Sequence, residues 1–144
     1  MNHQPAQSLG IDKRVLFLKV CFWIGVLADL FATVPLLFPH VAKLVFGLPV
    51  AASGNAYLYV SRVGASLMLG WTGLLVWGSQ KPVERKAILL LTVVPVVLGL
   101  LGASVLAVQS GFIQVIYMLP LWIFYIVIIP LYLIAYFIAV GIDK

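Results

Sequence analysis

Four long apolar runs constrain this chain more than any other feature of its sequence. Each run has about the 20 residues that an α-helix needs to cross a hydrocarbon core about 30 Å thick. Of the 144 residues, 64% are hydrophobic and 9% are charged, whereas globular domains average roughly half and a quarter. Because the four runs leave no room for a soluble domain, we predict a single transmembrane domain over residues 1–144.

The boundaries of the spans follow from the polar residues, glycines and prolines that interrupt the apolar runs. We predict spans at about residues 15–38, 57–78, 87–108 and 121–140. The last apolar stretch is too long for one straight crossing, so we predict an interfacial segment at about residues 112–119, broken near Pro120. Pro95 is expected to kink the third span. The predicted fold class is all-α, a transmembrane four-helix bundle with antiparallel up-down neighbours.

Lysine and arginine are distributed unequally between the two sides of the predicted membrane. The loop between the first two spans holds Lys43, and Arg62 is counted inside the second span. The other side holds most of the basic residues: Lys13, Arg14, Lys19, Lys81, Arg85, Lys86 and Lys144. The positive-inside rule therefore predicts a multi-pass protein whose N- and C-termini are both cytoplasmic. The net charge of +5 is attributed to this orientation against anionic lipid, and nucleic acid is not expected as a partner.

Several kinds of site are not expected from the cysteine and histidine content. Cys21 is the only cysteine, so a disulfide or a dithiol redox pair is excluded within one chain. His3 and His40 both lie outside the predicted spans, which leaves no pair of histidine ligands for a haem between helices. We predict no cofactor, no metal site and no catalytic residue.

Asp29 and Arg62 are the two charged residues predicted to lie inside spans, in the first and second span respectively. A charge within the membrane is costly, so it usually faces the protein interior and has a partner. Counted from the predicted ends of the spans, both residues lie in the same half of the membrane, on neighbouring antiparallel helices. We therefore predict a buried ion pair, and two interpretations stay open: a purely structural pair, or a binding site for a ligand or a proton.

Other polar residues are predicted to surround this ion pair. At helical spacing Thr33 shares a face with Asp29, and Ser66 shares a face with Arg62, together with glycines that favour close helix packing. Tyr125 in the fourth span is expected at the depth of Arg62, where its hydroxyl can join the pair. The predicted ligand-binding or ion-pair residues are thus Asp29, Arg62, Tyr125, Ser66 and Thr33.

Residues 62–70, with the sequence RVGASLMLG, begin a span after a loop that is rich in Pro and Gly. This segment and the four-span layout resemble the DoxX-like group of small four-helix bacterial membrane proteins. The resemblance implies a four-helix bundle in the bacterial inner membrane and suggests no reaction. Small multidrug transporters also have four spans and an acidic residue in the first, but they use Glu in a shorter chain, and this sequence departs from them.

Three hypotheses for function follow. The first is a non-catalytic membrane protein that binds an apolar or amphipathic ligand, such as a membrane lipid, or that belongs to a homo-oligomer or a larger membrane complex. The second is a small proton-coupled transporter in which Asp29 alternates between a proton and a substrate. The third is an enzyme acting on a lipid or isoprenoid, with Asp29 as base and Tyr125 as acid. The small number of polar groups favours the first.

Overall fold

The described part of the chain is helical throughout, apart from turns and caps. A computed structural model describes residues 12–47 and 54–142. The polar N-terminal residues 1–11, part of the first loop and Lys144, which some of the sequence predictions concern, lie outside the described residues. No strand occurs in residues 12–47 or 54–142. The all-α fold class is confirmed.

Five helices make up this part of the structure. Four of them are long and apolar enough to cross a membrane: α1 (Lys13–Leu37), α3 (Asn55–Gln80), α4 (Ala87–Gln109) and α5 (Val115–Ile142). The fifth, α2 (Pro39–Phe46), is short and follows α1 directly. Helices are expected here because an α-helix satisfies its own backbone hydrogen bonds, which lipid cannot do. The four long helices form an antiparallel bundle, as predicted.

The ends of α1 and α2 are set by local chemistry. The Asp12 side chain accepts a hydrogen bond of 3.0 Å from the backbone N–H of Arg14 and caps the start of α1. Phe38 is extended, and Pro39 then begins α2, a position where its missing N–H costs nothing. At the end of α2, Gly47 adopts a left-handed conformation with φ of 64°, which glycine tolerates best.

The register of α1 against α3 is fixed by close contacts at three glycines. A Cβ atom built on Gly25 would lie 3.1 Å from Leu75, one on Gly64 would lie 3.8 Å from Leu36, and one on Gly78 would lie 2.5 Å from Phe22. In each pair the two residue numbers add up to 100, as expected for two straight antiparallel helices. This register places Trp71 opposite Asp29, and Phe38 opposite Arg62.

The packing face of α3 differs from the predicted one. The face predicted to pack closely, which holds Arg62, Ser66 and the glycines Gly70 and Gly73, is exposed. A Cβ on Gly70 or Gly73 would meet nothing within 4 Å. The buried residues of α3 are instead Ser61, Ala65, Thr72, Leu75, Gly78 and Ser79. They also include small residues at helical spacing, so composition alone did not distinguish the two faces. Close approach of α1 and α3 is consistent with small residues at a membrane helix contact.

Two prolines affect the third and fourth spans differently. Around Pro95, where we predicted a kink, residues Thr92–Val97 form a π-helical turn within α4. Pro120 does not interrupt α5, which is continuous from Val115 to Ile142. The structure therefore shows no separate segment at residues 112–119, because a proline in the second turn removes only one backbone hydrogen bond and such losses are tolerated in membrane helices.

Candidate functional site

Asp29 is half-buried and lies on the face of α1 that also holds the buried residues Leu18, Gly25 and Thr33. One carboxyl oxygen, Oδ2, is inaccessible to solvent and makes no hydrogen bond within the part of the chain that the structure describes. Buried polar atoms in proteins nearly always have a partner. An unpartnered carboxyl oxygen on the inner face of a membrane helix is therefore a candidate binding group.

A second unpartnered polar atom lies beside it, on α5. The Tyr132 side chain is only 1% exposed. Its hydroxyl makes no hydrogen bond of good geometry to a described residue, although it lies against the backbone of Gly25. The hydroxyl occupies the position where a side chain at Gly25 would begin, since a Cβ built there would overlap it. Tyr132 is also within electrostatic range of Asp29 and of the buried thiol of Cys21. Gly25 thus forms a notch in α1 that receives the phenol one helical turn from Asp29.

Arg62 does not pair with Asp29, so the predicted ion pair is wrong. The only ion pair between described residues joins Lys81 to Glu84 at 3.0 Å, and Arg62 is exposed. The helix register explains the difference. Arg62 lies nine residues from Trp71, the residue opposite Asp29, which corresponds to about 14 Å along the helix. Depths counted from predicted span ends missed this offset because α3 begins beyond the end of α1.

Thr33 and Ser66 are both engaged with the backbone of their own helices. The Thr33 hydroxyl is buried and donates a hydrogen bond of 2.7 Å to the carbonyl oxygen of Asp29. The Ser66 hydroxyl donates one of 3.0 Å to the carbonyl oxygen of Arg62. Such bonds to the residue four positions earlier are common for hydroxyl side chains in helices. Thr33 therefore lies next to Asp29 as predicted, whereas Ser66 follows Arg62 to the exposed side of α3.

Tyr125 lies against α4, at a lateral groove of about 280 Å³. The groove is lined by Leu101, Val105, Trp122, Tyr125, Ile126 and Ile129. It is apolar and open to the outside of the bundle, in the half nearer to α2. The Trp122 indole N–H donates to the Ser104 hydroxyl at 2.8 Å, while the Tyr125 hydroxyl makes no hydrogen bond to any described residue. No contact joins Tyr125 to Arg62.

A further polar contact, between α3 and α4, lies at the depth of Asp29. The Trp71 indole N–H donates to the Thr92 hydroxyl at 3.2 Å, and Thr92 in turn donates to the carbonyl oxygen of Ile88 at 2.8 Å. Thr92 also begins the π-helical turn. π-turns inside α-helices are frequent at functional sites. Asp29, the Trp71–Thr92 bond and this irregular turn therefore share one level of the bundle.

Sequence reasoning missed Tyr132 and Gly25 as partners. Both carried a signal, because Gly25 shares a face with Asp29 and Tyr132 lies seven residues after Tyr125. Their meeting depends on the register between α1 and α5, which residue spacing within one helix does not give. Comparisons with protein-family models, with curated proteins and with solved structures found no match for this chain.

Proposed function

We propose that this chain is a multi-pass protein of the bacterial inner membrane that binds an apolar or amphipathic molecule, such as a membrane lipid, in the groove between α4 and α5. One observation supports this most directly. The groove opens from the side of a bundle whose helices are long enough to cross a membrane. Its volume, about 280 Å³, is close to the lower end of the roughly 300–1,000 Å³ typical of ligand pockets.

The lining of the groove indicates the kind of molecule that fits. The apolar side chains of Leu101, Val105 and Ile129 suit a hydrocarbon or isoprenoid chain. The hydrogen bond from the Trp122 indole N–H to Ser104 restrains the orientation of the ring, which forms one side of the groove. Tyr125 is one of the lining residues, but the surface of the groove is almost entirely apolar. We therefore expect the hydrocarbon chain of an apolar or amphipathic ligand to occupy the groove.

A photoactivatable phospholipid with a diazirine in its acyl chain tests the proposal in reconstituted vesicles. We expect cross-links, mapped by mass spectrometry, to concentrate on the lining residues of the groove. Ile126→Trp should reduce them several-fold because the larger side chain fills the groove. Val127→Trp is the matched control, since Val127 is exposed on the same helix but does not line the groove.

The results would distinguish specific binding from ordinary contact with lipid. Cross-links spread evenly over the exposed faces of all four long helices, and reduced equally by both tryptophan variants, would overturn the proposal. Tyr125→Phe adds a second comparison. A loss of cross-links to a polar-headed probe, without a loss for a hydrocarbon probe, would identify the hydroxyl as the group that binds the ligand's polar part.

The proton-coupled transporter is a second candidate. An arginine paired with Asp29 would hold the carboxylate in its charged form and argue against this hypothesis. Arg62 is exposed and about 14 Å away along the helix at 1.5 Å per residue, so this objection no longer applies. Membership of the DoxX-like group, assembly into an oligomer and the enzyme hypothesis stay predictions.

A further inference from the structure

The surroundings of Asp29 contain no positive charge within the described residues. The ionisable group next to Asp29 is the phenol of Tyr132 on α5, and the thiol of Cys21 on α1 lies near that phenol rather than near Asp29. Tyr125, on the same helix as Tyr132, faces the groove. The one charged residue of α3 before its basic end is Arg62, which is exposed and distant. Helix α4 contains no charged residue between Ala87 and Gln109. An ionised carboxylate at this half-buried position, with Oδ2 inaccessible, would therefore lack a compensating positive charge, which is costly inside a membrane.

The geometry favours contact between the two unpartnered groups. Side chains on a helix lean toward its N-terminus, so Asp29 leans toward the turn of Gly25, where the Tyr132 hydroxyl is seated. Residues four apart have Cβ atoms about 5–6 Å from each other. The two groups do not hydrogen-bond to each other in the structure, so a side-chain rotation or a bridging water molecule has to join them. A protonated carboxyl and a phenol each have one O–H donor and an acceptor oxygen, so together they satisfy both atoms.

We propose that Asp29 and Tyr132 form a proton-binding pair inside the bundle. Asp29 carries the proton as a neutral carboxylic acid, and the Tyr132 hydroxyl is its hydrogen-bond partner, held in place by the notch at Gly25. When the proton leaves, it passes to a water molecule, and the carboxylate keeps one negative charge. That charge requires water or a cationic group to enter between α1 and α5. This inference does not depend on the groove or on its ligand.

Infrared spectroscopy of the reconstituted full-length protein tests the pair without an assay of activity. The chain has only four carboxyl side chains. Asp12 and Glu84 are exposed outside the long helices, and Asp143 follows α5 in the sequence, outside the described residues. Solvated carboxyl groups are ionised at neutral pH. We therefore expect one carbonyl band of a protonated carboxyl at neutral pH, which shifts when the protein is labelled with carboxyl-¹³C aspartate. Asp29→Asn should abolish the band.

Variants of the tyrosines test the partner. Tyr132→Phe should move the band to higher frequency, because a hydrogen bond to the carbonyl lowers its stretching frequency, while Tyr125→Phe should leave it unchanged. The isotope shift keeps the assignment valid even if Asp29→Asn fails to fold. Absence of the band from the labelled wild-type protein at neutral pH would overturn the proposal. A band that is unaffected by Tyr132→Phe would leave Asp29 without the proposed partner and would equally contradict it.

Discussion

The absence of a side chain at Gly25 allows α1 and α5 to approach each other closely. A Cβ atom there would overlap the Tyr132 hydroxyl and would lie 3.3 Å from the Cζ atom of the same ring. The ring has little room to move away, because Tyr132 is among the most completely buried side chains of the described residues. Because residue 25 is glycine and has no methyl group, α1 and α5 can make this contact and the phenol of Tyr132 can pair with Asp29.

We expect Gly25→Ala to lower the free energy of unfolding in detergent. Overpacking a well-filled interior costs about 1–3 kcal/mol, against a gain in helix propensity of about 1 kcal/mol. Gly73→Ala is the control with the opposite sign. Gly73→Ala has the same gain in helix propensity, and its Cβ would meet nothing within 4 Å. Denaturant titration followed by circular dichroism measures both.

Tyr132→Phe should restore part of the loss in the Gly25→Ala protein, because it removes the oxygen that the new methyl group overlaps. If Gly25→Ala and Gly73→Ala change stability equally, Tyr132 does not approach α1 closely at Gly25. If the second substitution fails to restore stability, the overlap with the hydroxyl is not the cause of the loss.

At the scale of helices, the register of α1 against α3 explains why the site differs from the one expected. The face of α1 that holds Asp29, Gly25 and Thr33 was predictable, since helical periodicity places the three residues together. The face of α3 was not, because small residues lie on two of its sides, around Ala65 and around Gly70. Which of these two sides packs against α1 depends on the shape complementarity of the two helices. Neither the periodicity nor the composition of the sequence predicts that complementarity.

The register leads to a prediction about Asp29 and Arg62. Because Arg62 is exposed and distant, Asp29→Ala and Arg62→Ala should change the free energy of unfolding independently. Sites more than about 7–10 Å apart are usually additive within about 0.3–0.5 kcal/mol. The double variant measured by denaturant titration should therefore equal the sum of the single ones.

A contacting pair provides the positive control for this cycle. Trp71 and Thr92 share a hydrogen bond of 3.2 Å between α3 and α4. We expect Trp71→Phe and Thr92→Val to show a coupling of about 0.5–1.5 kcal/mol. A coupling of that size between Asp29 and Arg62 would mean that the two side chains meet in the membrane and that Trp71 is not the residue of α3 opposite Asp29.

At the scale of the whole molecule, the ends of the bundle differ in both charge and construction. The basic end holds Lys13, Arg14 and Lys19 of α1 and the turn at residues 81–86, where Lys81 pairs with Glu84. The Arg85 guanidinium there lies 3.6 Å from the centre of the Trp77 ring and donates a hydrogen bond to the Trp77 carbonyl oxygen. The opposite end holds α2, whose Leu44 is 81% exposed, as expected for an apolar side chain that lies in the membrane interface.

This asymmetry predicts the orientation, with the basic end in the cytoplasm, and cysteine labelling measures it. Gly54 and Lys81 are exposed at opposite ends of α3, so Gly54→Cys and Lys81→Cys report on the two sides. Cys21 is fully buried and should not react with the maleimide.

We expect a membrane-impermeant maleimide to label Gly54→Cys in intact cells and Lys81→Cys only after the membrane is opened. His40→Cys, exposed on α2, should behave like Gly54→Cys. The reverse pattern would invert the topology, and labelling of both ends of α3 from one side would show that α3 does not cross the membrane.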